Sequence, residues 1–373
     1  MRIAISAVNL NHSVISGLLV YVENLLHELA QIDLQNEYFL IFTSLRKKPF
    51  QMPGPTAKNF VKKILPVPDR NLPFRQMLID NIYLPYLFKK YRCNVYHAPA
   101  GYNLPSSNGV KKILTIHDLR SSKITDRSFP QSISSLRKAA KNSDVCITVS
   151  ECTKKDIIEH LDINPDKIKI IYNGVNEEFK PLDIKVSEEI RNRYNIHEKF
   201  IFSLGEVPRK NVERLIKAFC KFKYKNDFLL VIGGAREYGP WISKYRELIN
   251  KLKMGDRIRL IGYLPYEDLP LFYNASEFFV FPSLYEGFGI PILEAMKCGV
   301  AVITSNVSAL PEIGRDAVLY VDPYSEEDIA RQMERLIEDK ELKDTLVKKG
   351  IDRAKEFSWK KMAIETLKIY EEV

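Results

Sequence analysis

Short apolar runs alternate with stretches whose apolar positions recur every three or four residues, and the alternation continues along the whole chain. A run of four to seven apolar residues suits a strand buried on both faces, as in a parallel sheet, whereas the longer spacing gives a helix one apolar side. In the first half, strands are predicted at residues 2–8, 38–43, 95–99, 112–119, 144–151 and 169–175. In the second half they are predicted at 200–204, 228–234, 257–262, 278–281, 301–305 and 317–321. Between them, Tyr21, Val22, Leu25, Leu26 and Leu29 fall at helical spacing, as do Trp359, Met362, Ile364, Leu367 and Tyr370 at the end. Strands alternating with helices predict a doubly wound α/β architecture.

At 373 residues the chain is too long for one ordinary core, so two domains are expected, with Pro181 marking the linker. The five cysteines are scattered and never spaced as Cys-x-x-Cys, which argues against a disulfide framework or a zinc site and fits a reducing compartment. The first apolar run is too short for a signal peptide, and no run approaches a membrane span. These features predict a cytoplasmic protein. Charge changes the picture more. Residues 1–178 carry 24 Lys and Arg against 16 Asp and Glu, so +8 of the total +9 lies in the first half. That half is expected to face something anionic. Between Arg46 and Arg92, cations interleave with aromatics, among them Lys62, Lys63, Phe74, Tyr86, Lys89 and Lys90. Most of this stretch reads as core plus solvated face, with a peripheral resting place on anionic lipid as the second reading. No nucleic-acid partner is expected, because no RNA-binding signature accompanies the charge.

The densest chemistry lies at residues 281–299, FPSLYEGFGIPILEAMKCG. An apolar strand enters, and Glu286-Gly287-Phe288-Gly289 forms a tight loop whose glycines let a ligand approach the backbone. Ile290 and Pro291 then open a helix, with Gly299 suited to its stop. A helix start with free N–H groups and the positive end of its dipole attracts anions. Glu286 and Glu294 would repel a phosphate, so they are expected to take hydroxyls beside it. A second loop, Gly205-Glu206-Val207-Pro208-Arg209-Lys210-Asn211, places two adjacent cations between a strand and a helix, which suits a diphosphate. Two strand ends present His97 and His117 where ligands lie in open α/β sheets. A lone histidine is more often structural, and His97 is read so. Trp241 suits packing as well as binding.

The pattern Glu-Gly-Phe-Gly-x-Pro-x-x-Glu resembles the Glu-x7-Glu motif of retaining nucleotide-sugar glycosyltransferases of the GT-B fold, in particular family 4. The resemblance extends along essentially the whole chain. It implies two Rossmann-like domains facing across a cleft: an acceptor-side domain at 1–178, joined by a returning helix at 358–373, and a donor domain at 179–357. It implies that His117 and Glu286 bind hydroxyls of the donor sugar and Glu294 the ribose, while Arg209 and Lys210 bind the donor phosphates. Gly205, Gly287, Phe288, Gly289 and Ile290 would line the donor site. Leu264, in Gly262-Tyr263-Leu264-Pro265, would lie against the nucleobase. At the first loop only Gly17 carries over, because Gly17-Leu18-Leu19 lacks the family's second glycine and arginine. Glu206 likewise stands where many relatives have arginine.

The resemblance is closest to bacterial enzymes that move mannose, which makes GDP-mannose the first donor to expect and a saccharide or lipid-linked glycan the acceptor. No Asp-x-Asp occurs in the sequence, so no metal and no other cofactor is expected. An NAD-dependent dehydrogenase is disfavoured because Ile292 occupies the third glycine position of the dinucleotide motif. A nucleotide-sugar 2-epimerase of the same fold and a non-catalytic partner subunit remain as alternatives.

Overall fold

The structure is a computed structural model that describes residues 1–7, 17–43, 54–67, 74–100, 104–105, 109–119, 133–234 and 240–373. It divides into two compact units. Unit 1 comprises Met1–Gly174 with Trp359–Val373, and unit 2 comprises Val175–Ser358.

Unit 1 is built on a parallel sheet of β1 (Arg2–Ser6), β2 (Glu37–Thr43), β3 (Phe60–Leu65), β4 (Val95–Ala98), β5 (Lys111–Ile116), β6 (Val145–Thr148) and β7 (Ile168–Ile170), in the order β3-β2-β1-β4-β5-β6-β7. All six pairings are parallel, for example Ile5 with Leu40 on one side and with His97 on the other. In β2 six successive residues, Tyr38 to Thr43, are buried, the continuous pattern of a strand covered on both faces. Phe39, Ile41, Leu114, Ile116 and Leu136 lie together in the core.

Two elements of unit 1 were not legible as such. The edge strand β3 reads FVKKIL, and its adjacent lysines interrupt the apolar run. Lysines on an edge strand deter pairing with another chain, so the feature that hides the strand belongs to its position. A continuous helical stretch also covers Arg75–Leu78, Ile79–Tyr83 and Leu84–Tyr91, with a π-turn in its middle part. A π-turn shifts the apolar period, so the stretch does not read as one helix.

The last helix, Trp359–Glu372, belongs to unit 1. Trp359 packs edge-on against Tyr21 of helix Gly17–Ile32. Tyr370 is fully buried, with its hydroxyl 2.6 Å from His97 Nδ1, while His97 Nε2 lies 2.8 Å from Thr115 Oγ1. Burial, helped by the neighbouring His117, pushes the His97 imidazole down to about 3, so it is neutral. His97 is a core histidine that ties the end of the chain to β4 and β5.

Unit 2 repeats the plan with β8 (Phe200–Leu204), β9 (Leu229–Gly233), β10 (Ile258–Leu260), β11 (Phe279–Phe281), β12 (Val302–Ser305) and β13 (Leu319–Val321). The order is β10-β9-β8-β11-β12-β13, again all parallel. Several strands are shorter than their apolar runs, because a run extends into buried loop residues. Residue Phe278, for example, is buried yet precedes β11. The strand order reverses between β8 and β11. At such a switch point the two following loops run to opposite faces and leave a crevice beyond the strand ends.

Candidate active site at the switch point of unit 2

The crevice is lined by the loops that follow β8 and β11, and hydrogen bonds stitch these loops together. Asn211 adopts the left-handed conformation (φ 63°). Its buried side-chain amide donates to the carbonyls of Pro282, at 3.0 Å, and Pro323, at 2.6 Å. The Leu284 amide donates to the Arg209 carbonyl at 2.7 Å. From the loop after β12, the Ser308 hydroxyl accepts from the Glu286 amide at 3.0 Å.

The charged side chains converge on this scaffold. Glu286 Oε1 lies 2.8 Å from Arg209 Nη1 and 2.7 Å from Lys210 Nζ, and it accepts from Ser283 Oγ at 2.6 Å. All three charged side chains are largely buried, with side-chain exposures of 12%, 14% and 9% for Arg209, Lys210 and Glu286. Burial alone would push the Glu286 carboxyl up. The two cations and the bonds from Lys210 and Ser283 outweigh it and hold the group down to about 2. Lys210 Nζ also sits 4.4 Å from the centroid of the Phe281 ring. Gly205 makes this path possible. Its φ is +138°, and a Cβ there would lie 2.5 Å from both Cβ and Cγ of Lys210.

The structure thus brings Arg209, Lys210 and Glu286 into one cluster. Glu294, eight residues on, lies in a different setting. It sits inside helix Ile290–Lys297 and is buried, with Oε1 accepting from Tyr266 at 3.2 Å and Oε2 from Tyr273 at 3.0 Å. Burial raises its carboxyl to about 7 against the two tyrosine bonds and the pull of Lys210. Gly289 caps the helix with φ +111° and no side-chain hydrogen bond; Pro291 has no N–H, and the Ile292 N–H donates to the Gly289 carbonyl at 3.1 Å. A Cβ at Gly289 would lie 2.9 Å from Leu310. The side chain of Phe288 turns inward, edge-on to Phe357, so its share in any ligand site is through its backbone. Ile290 is half-buried at the helix start. Leu264 is buried against Gly233, where a Cβ would approach within 2.3 Å of its Cδ1.

Gly17 and His117 lie in unit 1. Gly17 is the exposed first residue of its helix, and residues 8–16 before it lie outside the described residues. His117 follows β5, and its Nε2 lies 2.7 Å from the Pro99 carbonyl. That bond fixes the proton on Nε2 and the plane of the ring, against which Tyr21 packs edge-on at 4.5 Å. Ser283, Asn211, Tyr266 and Tyr273 were not singled out by their sequence. Asn211 stood in the Pro-Arg-Lys-Asn stretch, but the tyrosines precede Glu294 by 28 and 21 residues and carried no local signal.

Among known proteins, residues 186–353 match the family model of glycosyl transferases group 1 and residues 15–179 that of glycosyltransferase family 4. The O-antigen chain mannosyltransferase B of Escherichia coli is 28% identical over 293 residues, which are 76% of this chain and 76% of that protein. The E. coli serotype-specific mannosyltransferase WbdA is 32% identical over 234 residues, 59% of this chain but 28% of that longer protein. An uncharacterized glycosyltransferase of Methanocaldococcus jannaschii, MJ1178, is 30% identical over 278 residues, 72% of this chain and 71% of that one. Among solved structures, Anabaena HepE in complex with UDP-glucose superposes with a TM-score of 0.79 over the full length of both chains, at 16% identity. That likeness shows a shared fold.

Proposed function

The chain belongs to the group 1 glycosyltransferases of family 4, and from that premise we propose that it moves a hexose from a nucleoside-diphosphate donor to a saccharide or lipid-linked acceptor, with retention at the anomeric carbon and without a metal. The observation that carries this reading is the cluster of Arg209, Lys210 and Glu286 at the switch point. Departure of a nucleoside diphosphate builds negative charge, and two buried cations beside an uncapped helix start answer it with fixed charge. Such preorganised charge often supplies the largest share of catalysis. Glu286 serves as a placeholder for the diphosphate: it keeps both cations in place and offsets part of their charge until the donor arrives. Its Oε1 is committed, whereas Oε2 accepts no hydrogen bond among the described residues and is left for a sugar hydroxyl. Glu294, released from Tyr266, takes the ribose, and His117 a hydroxyl of the transferred sugar. The acceptor attacks from the face that the diphosphate leaves, and the leaving phosphate takes the acceptor's proton, so no protein nucleophile is required.

GDP-mannose is the first donor to test, because two of the relatives are named as mannosyltransferases. The test is a thermal-shift screen of GDP-, UDP-, ADP- and TDP-sugars with and without EDTA, followed by a transfer assay with NMR assignment of the product anomer. The reading predicts one stabilising nucleotide class, unchanged turnover in EDTA and a retained anomer. An inverted product, or turnover abolished by EDTA, would contradict it.

A further inference from the structure

Among the described residues, eleven large apolar side chains are exposed, and four of them fall within thirteen residues of unit 1: Phe74, Met77, Ile82 and Tyr86, at 68%, 52%, 55% and 62% exposure. They lie on, or directly before, the helical stretch that contains the π-turn Ile79–Tyr83. In an uninterrupted α-helix, residues five apart point roughly 140° apart, at about 100° per residue. A π-turn closes i to i+5 instead and brings such residues to the same side. Met77 and Ile82, five apart and reaching into the turn, are exposed, while Ile79 and Leu84, five apart and joined by the Leu84 N–H to Ile79 carbonyl bond, are buried. One inserted residue therefore keeps two apolar stripes in register. Ile79, Leu84, Leu87 and Phe88 anchor the stretch to the core of unit 1, and the second stripe faces out.

The charge around that stripe is one-sided. From Arg75 to Arg92 there are four cations, Arg75, Lys89, Lys90 and Arg92, against the single acid Asp80, whose Oδ1 accepts from Gln76 at 2.8 Å. Lys90 Nζ lies 5.6 Å from the Tyr86 ring centroid and 5.5 Å from that of Tyr91. Lys63, from the edge strand β3, approaches Tyr91 at 4.3 Å. Cations on aromatic rings beside an exposed apolar stripe match the layering of a bilayer surface, with anionic headgroups outside and acyl chains beneath.

We propose that this face of unit 1 is a membrane-docking surface: Phe74, Met77, Ile82 and Tyr86 enter the headgroup–acyl boundary of an anionic leaflet while Lys63, Lys89 and Lys90 pair with its headgroups. The proposal is independent of the transfer chemistry, since its residues lie in unit 1 and the charged cluster lies in unit 2. Charge complementarity selects the occupant, because a second copy of this chain would set like-charged cations face to face.

The test is co-sedimentation of the full chain with vesicles of phosphatidylcholine alone or mixed with phosphatidylglycerol, at low and high salt. Three proteins are compared: the unaltered chain, a variant carrying Phe74→Ser, Met77→Ser, Ile82→Ser and Tyr86→Ser, and one carrying Lys89→Glu and Lys90→Glu. Partition onto the anionic vesicles is expected, falling as salt rises. The four serines should weaken it at least tenfold, and each cation lost by about fivefold. Because every altered side chain is exposed, thermal midpoints should hold within a degree or two, and turnover on a soluble acceptor should be unchanged. No partition at low salt, equal partition onto uncharged vesicles, or full partition of the four-serine variant would overturn the proposal. So would a concentration-dependent dimer that the four serines abolish, which would assign the stripe to self-association.

Discussion

Glu286 and Glu294 stand at the two ends of one nine-residue motif, and the protein treats them in opposite ways. Glu286 sits among Arg209, Lys210 and Ser283 and is held down to about 2, a permanent anion. Glu294 sits among tyrosine hydroxyls in the apolar body of the domain and is pushed up to about 7. Both are buried, so burial is not what separates them. The difference lies in what bonds the carboxylate directly, two cations at Glu286 and neutral hydroxyls at Glu294, and two such environments side by side suit two separate roles. In the proposed reaction Glu286 belongs to the charge that meets a diphosphate, and Glu294 is a carboxyl that exchanges one neutral hydroxyl, that of Tyr266, for another.

Breaking the Glu286 side has the largest expected effect. Glu286→Ala leaves two buried cations without their anion, a loss on the scale of about 3–5 kcal/mol, to be measured by denaturant unfolding near pH 7. Saturating diphosphate should restore part of that loss, because it replaces the missing anion. A variant as stable as the parent would mean that the cluster is not the electrostatic unit described.

The pH dependence sharpens the contrast, because the two signs are opposite. The folded protein holds Glu286 below its ordinary value, so this group stabilises the protein above about pH 4.5 and its contribution is lost as pH falls toward 2. Glu294 is held above its ordinary value, so its relative contribution is greatest below about pH 4.5 and declines as pH rises through 7. Each is worth up to about 3 kcal/mol. Glu294→Gln should therefore gain stability relative to the parent between pH 5 and 8, while its affinity for nucleotide falls. Parallel unfolding curves across that range would contradict the tyrosine-bound setting.

Next in size, Lys210→Ala should lower turnover by at least ~10²-fold, the scale for removing one group that stabilises developing charge. Near-normal turnover would remove Lys210 from the chemistry. The smallest effect is expected for Tyr266→Phe, which deletes one hydrogen bond of about 1 kcal/mol. It should change nucleotide affinity by about fivefold or less in calorimetry, and it should raise affinity if the ribose has to displace that hydroxyl. A large loss of binding would instead place Tyr266 among the ligand's own contacts.

How far the chain could be read without its structure follows the same division. Arg209, Lys210 and Glu286 were recognisable by residue type and by their strand–loop–helix settings, since the loops after β8 and β11 announce themselves with glycine and proline. Their direct pairing was not, because it joins positions at least 76 residues apart and depends on the strand order. The sequence leads one to expect Glu286 to take hydroxyls beside a phosphate. In the folded chain its Oε1 first meets two cations, an arrangement set by Gly205 having no Cβ. His97 reads as structural from its type alone, and its hydrogen-bond partner Tyr370 comes from the other end of the chain. The edge strand β3 and the π-turn helix are hidden in the sequence because lysines and an extra residue break the periodicities that mark strands and helices.

The central claim is that Arg209 and Lys210 exchange Glu286 for the diphosphate of a sugar nucleotide. A crystal structure with GDP-mannose, or whichever donor the thermal screen selects, tests it most directly. The account predicts phosphate oxygens within about 3 Å of both cations and over the start of helix Ile290–Lys297, with Glu286 turned toward a sugar hydroxyl. Phosphates bound elsewhere, with the Glu286 ion pairs intact, would contradict it.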